Sequence, residues 1–450
     1  MENINKTKTL IVTSFFGLIS RNILSTDFLE KMRSISNLRV IILTPLSKID
    51  LYTKTYGGNN IFFEGFPSKK NNVFEKYTDI LFLNSSDTSS RRIHRLIDLK
   101  EKKRLLNFVV FWVFAKLSNI KLYRCFLRWL YLFFYTKNSD VIRIFDLYKP
   151  DLIFSTDLFE PNDVNVLTEA KKRNIFTVGM IRSWDNITTK GLNKVISDKL
   201  IVNTPKIKEE AIKYCDFFDN NIFVVGIPHY DAYLKDKRIS KEELFSRLGL
   251  DPKKKTIFFA PPGDIYTQGD SINSLILRRL SDLDIQIIVR FYIVGKANIG
   301  NIKPVKNKIA IDDPGSGLSF TDADLTGKDS HLADLLYHSD VVIAFASTLA
   351  IDAIVFNKPV VFINFDGGEN RPYWKSLRRF YDYDHQKSII ESGGIRLANS
   401  LEDMILYLER YLDDSSLDEI GRQKIMKERC WRLDCLSGSR LADLILRLLK

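Results

Sequence analysis

The loop RSWDNITTKG, Arg182 to Gly191, places a carboxylate, two cations, an indole and several hydroxyls directly after a β-branched run. Asp185 has the chemistry of a general base toward an acceptor hydroxyl, Arg182 and Lys190 can hold anionic groups, and Trp184 can stack on a sugar face. An Asx-type turn with Trp184 in the core would also accommodate the segment, but it leaves most of these side chains without a reason. A second stretch, VVIAFASTLAIDAIVFNKPVVFINFD at 341 to 366, reads as strand, helix, strand. Its helix opens on Ser347 and Thr348 and carries Asp352 one turn along. Unpaired N–H groups at such a start favour an anion, so a donor phosphate is one reading of the hydroxyl pair and a plain N-cap is the other.

Three further loops follow strand-like runs. GIPHYDAY, Gly226 to Tyr233, offers His229 as a second catalytic candidate and Asp231 as a substrate contact, with Gly226 and Pro228 setting a tight exit from the strand. APPGDIYTQGD contains a Pro261-Pro262-Gly263 turn whose backbone can approach a phosphate or base, leading to a helix expected near Asp270. FDGGENRPYW brings Asp366 and Glu369 as candidates for donor hydroxyls and Arg371 for a phosphate. Asp322 and Asp324 lie in a Gly-rich polar loop, where carboxylates are usually solvated, so no metal and no cofactor are expected.

The elements that must position these loops are short apolar runs alternating with longer helical patterns, which implies parallel sheets with helices on both faces. Strands are expected at Thr9 to Ser14, Leu38 to Thr44, Asn60 to Glu64, Asp151 to Ser155, Ile175 to Ile181, Lys199 to Asn203 and Ile222 to Val225. A second set is expected at Lys255 to Ala260, Ile285 to Phe291, Lys308 to Ile311, Asp340 to Ala344 and Val360 to Asn364. The fold class is therefore α/β, with two Rossmann-like parallel-sheet lobes facing across a cleft and C-terminal helices, an arrangement that resembles the GT-B architecture. Open sheets of this kind bind ligands at the carboxyl ends of their strands. The expected division is an acceptor-side lobe at 1–228, a nucleotide-donor lobe at 229–430, and a helix at 431–450 crossing back to the first lobe. Ser400, followed by Asp403, marks one helix start.

With 450 residues, 45% hydrophobic and 27% charged, the chain has the composition of a globular protein of two domains. No secretory signal is expected at the N-terminus, and the scattered Cys125, Cys215, Cys430 and Cys435 fit a reducing compartment. The net charge of +12 is unevenly spread: from Lys102 to Lys137 there are eight Lys or Arg and no Asp or Glu, interleaved with Trp, Phe, Tyr and Leu. Within a helical insertion at about 88–149, this stretch is too short in apolar residues to cross a bilayer and suits an anionic membrane surface. The alternative is a helical pair buried in the first lobe with basic residues at its rim. No recognition helix, zinc-finger spacing or RNP-type motif accompanies the charge, so nucleic acid is not an expected partner.

In order, RSWDNITTKG, VVGIPHYDAY, FFAPPGD and SDVVIAFASTLAIDAIVFNKPVVFINFD resemble the motif series of the CDP-glycerol glycerophosphotransferase family, the teichoic-acid polymerase type, over roughly 175 to 370; the C-terminal half also resembles UDP-GlcNAc 2-epimerases. The resemblance matches Trp184 to the Trp of the family's Trp-His-Gly, with Asp185 where the acceptor-activating His would stand. Gly226, Pro228 and Asp231 match its Gly-x-Pro-x-x-Asp. Ala260 and Pro261 match half of its Ala-Pro-Thr-x-Arg turn, while Gly263 and Asp264 stand where that motif continues to its phosphate-binding Arg. Ser347 and Thr348 keep both hydroxyls of its Asp-Tyr-Ser-Ser motif, and Asp352 corresponds to its helix Asp.

Together these imply a glycosyltransferase, metal-independent and inverting, that moves a sugar from a nucleotide-activated donor to a glycan or lipid-linked glycan acceptor in bacterial surface-polysaccharide biosynthesis. It would be cytoplasmic and peripheral at the inner face of the membrane. Transfer of glycerol or ribitol phosphate from a CDP donor, non-hydrolysing epimerisation, and a non-catalytic GT-B scaffold are the alternatives.

Overall fold

The β-branched runs form two all-parallel sheets in a computed structural model that describes residues 7–67, 72–235, 237–292, 296–315, 328–368 and 371–450. The chain divides into a first unit, Met1–Asp231 with Trp431–Lys450, and a second, Ala232–Cys430. The division falls inside the Pro228–Lys235 helix rather than after residue 228. Asp322, Asp324 and Glu369 lie outside the described residues.

The first unit holds β1 (Lys8–Thr13), β2 (Leu38–Pro45), β3 (Ile61–Phe66), β4 (Leu152–Ser155), β5 (Phe176–Met180), β6 (Lys199–Val202) and β7 (Ile222–Val224), in the order β3-β2-β1-β4-β5-β6-β7. The strand order reverses between β1 and β4, whose register pairs Leu10 with Leu152 and Val12 with Phe154. Leu10 and Val12 share one face of β1 and enter a core with Val40, Ile42 and Phe154, as period-2 alternation requires. The Ser437–Leu449 helix closes that core. It sends Leu441, Ala442, Ile445 and Leu449 against Phe28 and Leu29 of the helix Asp27–Arg33.

Gly226, just after β7, has φ +92°, and a Cβ there would collide with Ser437 Oγ. Both the turn and the close approach of the C-terminal helix thus require glycine.

Between β3 and β4 the insertion consists of helices, among them Ser89–Lys102, Leu105–Leu117 and Lys121–Phe134. The last two are bent by 110° at their break, and among the described residues no single helix is long and apolar enough to cross a membrane. Leu122, Phe126, Trp129 and Phe133, at helical spacing, are 52–79% exposed, and the three aromatic rings stack in sequence at 6.0 and 5.5 Å. The opposite face is buried. There Arg124 and Arg128 both pair with Asp216, at 2.5 and 2.6 Å. The pair is therefore neither a buried insertion with a basic rim nor a helix with all its cations turned outward: the aromatic stripe is outside and two of the cations are inside.

The second unit holds β8 (Thr256–Phe259), β9 (Gln286–Arg290), β10 (Ile309–Asp312), β11 (Val341–Ala344), β12 (Val360–Ile363) and β13 (Arg396–Ala398), ordered β10-β9-β8-β11-β12-β13. Here the order reverses between β8 and β11. Ser400 caps the Leu401–Asp413 helix by accepting the N–H of Asp403 at 3.0 Å.

Candidate functional site

In a doubly wound sheet the loops on either side of the strand-order reversal diverge and leave a crevice at the carboxyl ends of the strands. In the second unit those loops are the one after β8, with Pro261 and Gly263, and the one after β11, with Ser347 and Thr348. Pro261 is buried, and half-buried Gly263 starts the short helix Asp264–Thr267 in extended conformation. The longer helix begins at Ile272, later than Asp270, because Asp270 Oδ1 accepts the N–H of both Ile272 and Gly367. Asp270 thereby ties the loop after β8 to the loop after β12. Arg371, expected to meet a phosphate, instead reinforces the same tie through Asp270 at 3.2 Å and the Thr267 carbonyl at 2.5 Å.

Ser347 is half-buried and Thr348 exposed, ahead of the seven-residue helix Leu349–Val355. Thr348 already has helical φ and ψ, and no side-chain hydrogen bond caps the helix, so the capping explanation of the hydroxyl pair does not hold. Ala346, immediately before them, has φ +27°, a strained value for a residue with a Cβ, and its carbonyl is held by Gln386 Nε2 at 2.9 Å. Asp352 is buried within the helix, and the Cys430 thiol is raised first by its own burial and then by the Asp352 charge. Half-buried Asp366 accepts the N–H of Leu377 at 2.9 Å.

In the first unit, the loop after β5 carries Arg182, Trp184, Asp185 and Lys190. Asp185 is half-buried; Oδ1 accepts the Ser183 hydroxyl at 2.5 Å, while its main-chain carbonyl accepts the hydroxyls of Thr188 and Thr189. No hydrogen bond engages its Oδ2 among the described residues. Trp184 is 8% exposed and packs in the core, which removes most of the ring from any sugar face. Arg182 and Lys190 converge on a carboxylate that sequence reading passed over, Asp157, at 2.9 and 3.5 Å. Its only signal in the sequence is its place just after β4.

His229 and Asp231 fall in the first unit, at the start of the Pro228–Lys235 helix. His229 is buried, and its Nε2 lies 3.3 Å from Arg21 Nη2. Since guanidinium only donates, Nε2 is the acceptor. Burial, and then the Arg21 charge, hold the imidazole well below its usual range. A neutral ring with this nitrogen engaged is poorly placed for the expected proton transfer. Asp231 is buried and accepts the N–H of Gly438 at 2.8 Å, so it fastens the C-terminal helix where a substrate contact had been expected. Among the described residues no group of His, Cys, Asp and Glu has the arrangement of a metal site.

Residues 182–447 match the family described as CDP-Glycerol:Poly(glycerophosphate) glycerophosphotransferase. No curated protein matches the chain in sequence. Among solved structures it is similar to a UDP-GlcNAc 2-epimerase from Neisseria meningitidis bound to UDP-GlcNAc, with TM-score 0.56, 11% identity, and 98% and 100% of the two chains covered. It is also similar to a UDP-GlcNAc 2-epimerase from Methanocaldococcus jannaschii, with TM-score 0.53, 13% identity and 98% and 99% covered. A glycosyltransferase from Rickettsia africae shares the architecture at TM-score 0.50, 12% identity and 98% and 99% covered. At such identities the likeness is one of fold, and that fold is GT-B.

Proposed function

Because the chain belongs to the CDP-glycerol:poly(glycerophosphate) glycerophosphotransferase family, we propose that it transfers a sugar from a nucleotide-activated donor to a glycan or lipid-linked glycan acceptor in bacterial surface-polysaccharide biosynthesis. The observation that carries sugar transfer is Asp185, a half-buried carboxylate with one unengaged oxygen, standing where the family has a His. In the reaction, Asp185 takes the proton of the acceptor hydroxyl as that oxygen bonds to the anomeric carbon. The bond from the anomeric carbon to the donor phosphate breaks, and the nucleotide leaves with its electron pair and with inverted configuration at carbon. Ser347 and Thr348 donate to the departing phosphate, a role open to them because neither hydroxyl caps the helix. Pro261 and Gly263 contribute backbone on the other side of the same crevice, and hydroxyl and amide donors neutralise the departing charge without a metal ion.

The protein acts at the inner face of the membrane through its exposed aromatic stripe. Leu122, Phe126, Trp129 and Phe133, with Leu105, Leu106 and Trp112 at 50–75% exposed on the preceding helix, supply the apolar surface. Exposed Lys103, Arg104, Lys121 and Lys137 border it and match an anionic leaflet.

The second reading keeps the chemistry in the family's name, transfer of glycerol or ribitol phosphate from a CDP donor, and family membership favours it. Incubating the protein with a panel of nucleotide donors and weighing the released nucleotide separates the two. Sugar transfer releases UDP or GDP, alditol-phosphate transfer releases CMP, and CMP-sugar donors are distinguished by the mass of the product. Conversion of a UDP-sugar to its epimer, without transfer, would overturn both.

A further inference from the structure

Three strand ends of the first unit meet at its strand-order reversal: β1 contributes Phe16, β4 contributes Asp157, and β5 contributes Arg182 and Lys190. The Asp157 side chain is 1% exposed. Its Oδ2 accepts from Arg182 Nε at 2.9 Å and lies 3.5 Å from Lys190 Nζ, while Oδ1 accepts the N–H of Phe159 at 2.9 Å. The Arg182 guanidinium carbon sits 3.7 Å above the Phe16 ring.

One edge and one face of the guanidinium are thus fixed, and the side chain is only 9% exposed. Yet Nη1 and Nη2 make no hydrogen bond among the described residues. Neither nitrogen is among the buried unpartnered atoms, so both stay open to water or to a ligand while the rest of the side chain is held. Side by side, they match two oxygens of a phosphate. Asn186 Nδ2, a donor in the same loop after β5, is buried without a partner.

The charge balance points the same way. Two cations face Asp157, and of the two carboxyls beside it burial raises Glu160 to about 7 and Asp163 well above the usual carboxylate range, so neither offsets the cations with a full charge. Burial alone would push Asp157 up, but the Arg182 and Lys190 charges hold it below the usual carboxylate range, so it stays ionised and continues to aim them.

We propose that Arg182 and Lys190 form a phosphate-binding fork for a phosphoryl or diphosphoryl group on the acceptor, and that Asp157 is the positioning residue that sets it. That the phosphate belongs to the acceptor rests on the transferase reading above; the fork itself does not. Phe16 supplies the flat support that keeps the guanidinium plane turned toward the ligand.

The test uses the full chain and inorganic pyrophosphate as probe, titrated by calorimetry, with UDP and CDP titrated in parallel. Arg182→Lys keeps the charge but loses the fork, and Asp157→Asn keeps the shape but loses the anchor. Each is expected to weaken pyrophosphate binding tenfold or more while leaving nucleotide affinity within error, and Asp157→Asn, which removes the buried partner of Arg182, is expected to lower the unfolding midpoint as well. In turnover, Asp157→Asn is expected to raise the acceptor KM with little change in kcat. If a folded Asp157→Asn binds pyrophosphate as tightly as the parent, the positioning role is overturned; if Arg182→Lys does so, the fork is. Should Asp157→Asn fail to fold, Phe16→Leu takes its place, with the same loss expected and unchanged affinity overturning the claim. A protein that binds pyrophosphate in this pattern but consumes no donor retains the fork and loses the transferase reading.

Discussion

Asp231 accepts a hydrogen bond from the backbone N–H of Gly438, 2.8 Å away and 207 residues later. Both are buried, so the bond is charge-assisted and shielded from water, and it holds the Ser437–Leu449 helix at the start of its first turn. Asp231→Ala leaves that N–H without a partner and is expected to cost about 1.5–3 kcal/mol of stability, read by urea denaturation. Substrate KM values of the folded variant should be unchanged. A selective rise in KM without loss of stability would return Asp231 to a substrate role.

Ser347→Ala and Thr348→Ala each remove a hydroxyl that caps nothing. Each is expected to weaken nucleotide-diphosphate binding roughly three- to tenfold, the equivalent of one hydrogen bond at about 1 kcal/mol, with no change in the melting temperature. Calorimetric titration with UDP and CDP reads the first and a thermal scan the second. A lowered melting temperature with unchanged affinity would make the pair structural.

What the sequence made legible follows the strength of each local signal. Buried parallel strands read as short β-branched runs, and β1 to β12 lie where such runs occur; β13, Arg396–Ala398, has only Leu397 and Ala398 as apolar residues and no run to detect. The loop after β5 stood out because its polar groups are dense, yet density did not reveal that Trp184 is buried or that Arg182 is anchored. Anchoring depends on Asp157, about 25 residues away in sequence, and a contact across neighbouring strands leaves no periodic trace. His229 and Asp231 drew attention by residue type, whereas their partners Arg21 and Gly438 come from opposite ends of the chain.

Glu160 caps the Pro161–Lys172 helix by accepting the Asp163 N–H at 2.9 Å, beside the Asp157 carboxylate. Burial is the first cause that raises its pKa, to about 7, and the Asp157 charge adds to it. Between the unfolded value near 4.5 and about 7, the folded state binds more protons than the unfolded one. The resulting stability is fully present below the unfolded value and is lost as pH rises through about 7. Glu160→Gln keeps an acceptor for the helix start but cannot ionise. Denaturation midpoints measured from pH 5 to pH 8 should fall less steeply in this variant than in the parent. Parallel curves would show that Glu160 titrates alike in both states.

Trp112 and Trp129 are 50% and 57% exposed and make no contribution to the buried core. Replacing both with Ser should leave the melting temperature in place and weaken vesicle binding by tenfold or more, since burying one large apolar side chain is worth about 1.5–3 kcal/mol. Arg124 and Arg128 are committed to Asp216, so the electrostatic part of binding must come from Lys103, Arg104, Lys121 and Lys137. Binding to phosphatidylcholine vesicles should therefore persist at high salt, while the gain from added phosphatidylglycerol should be lost when ionic strength rises. Cosedimentation across a salt series measures both parts. Binding unaffected by the Trp replacements would remove the apolar stripe as the membrane contact, even if attraction to anionic lipid remained.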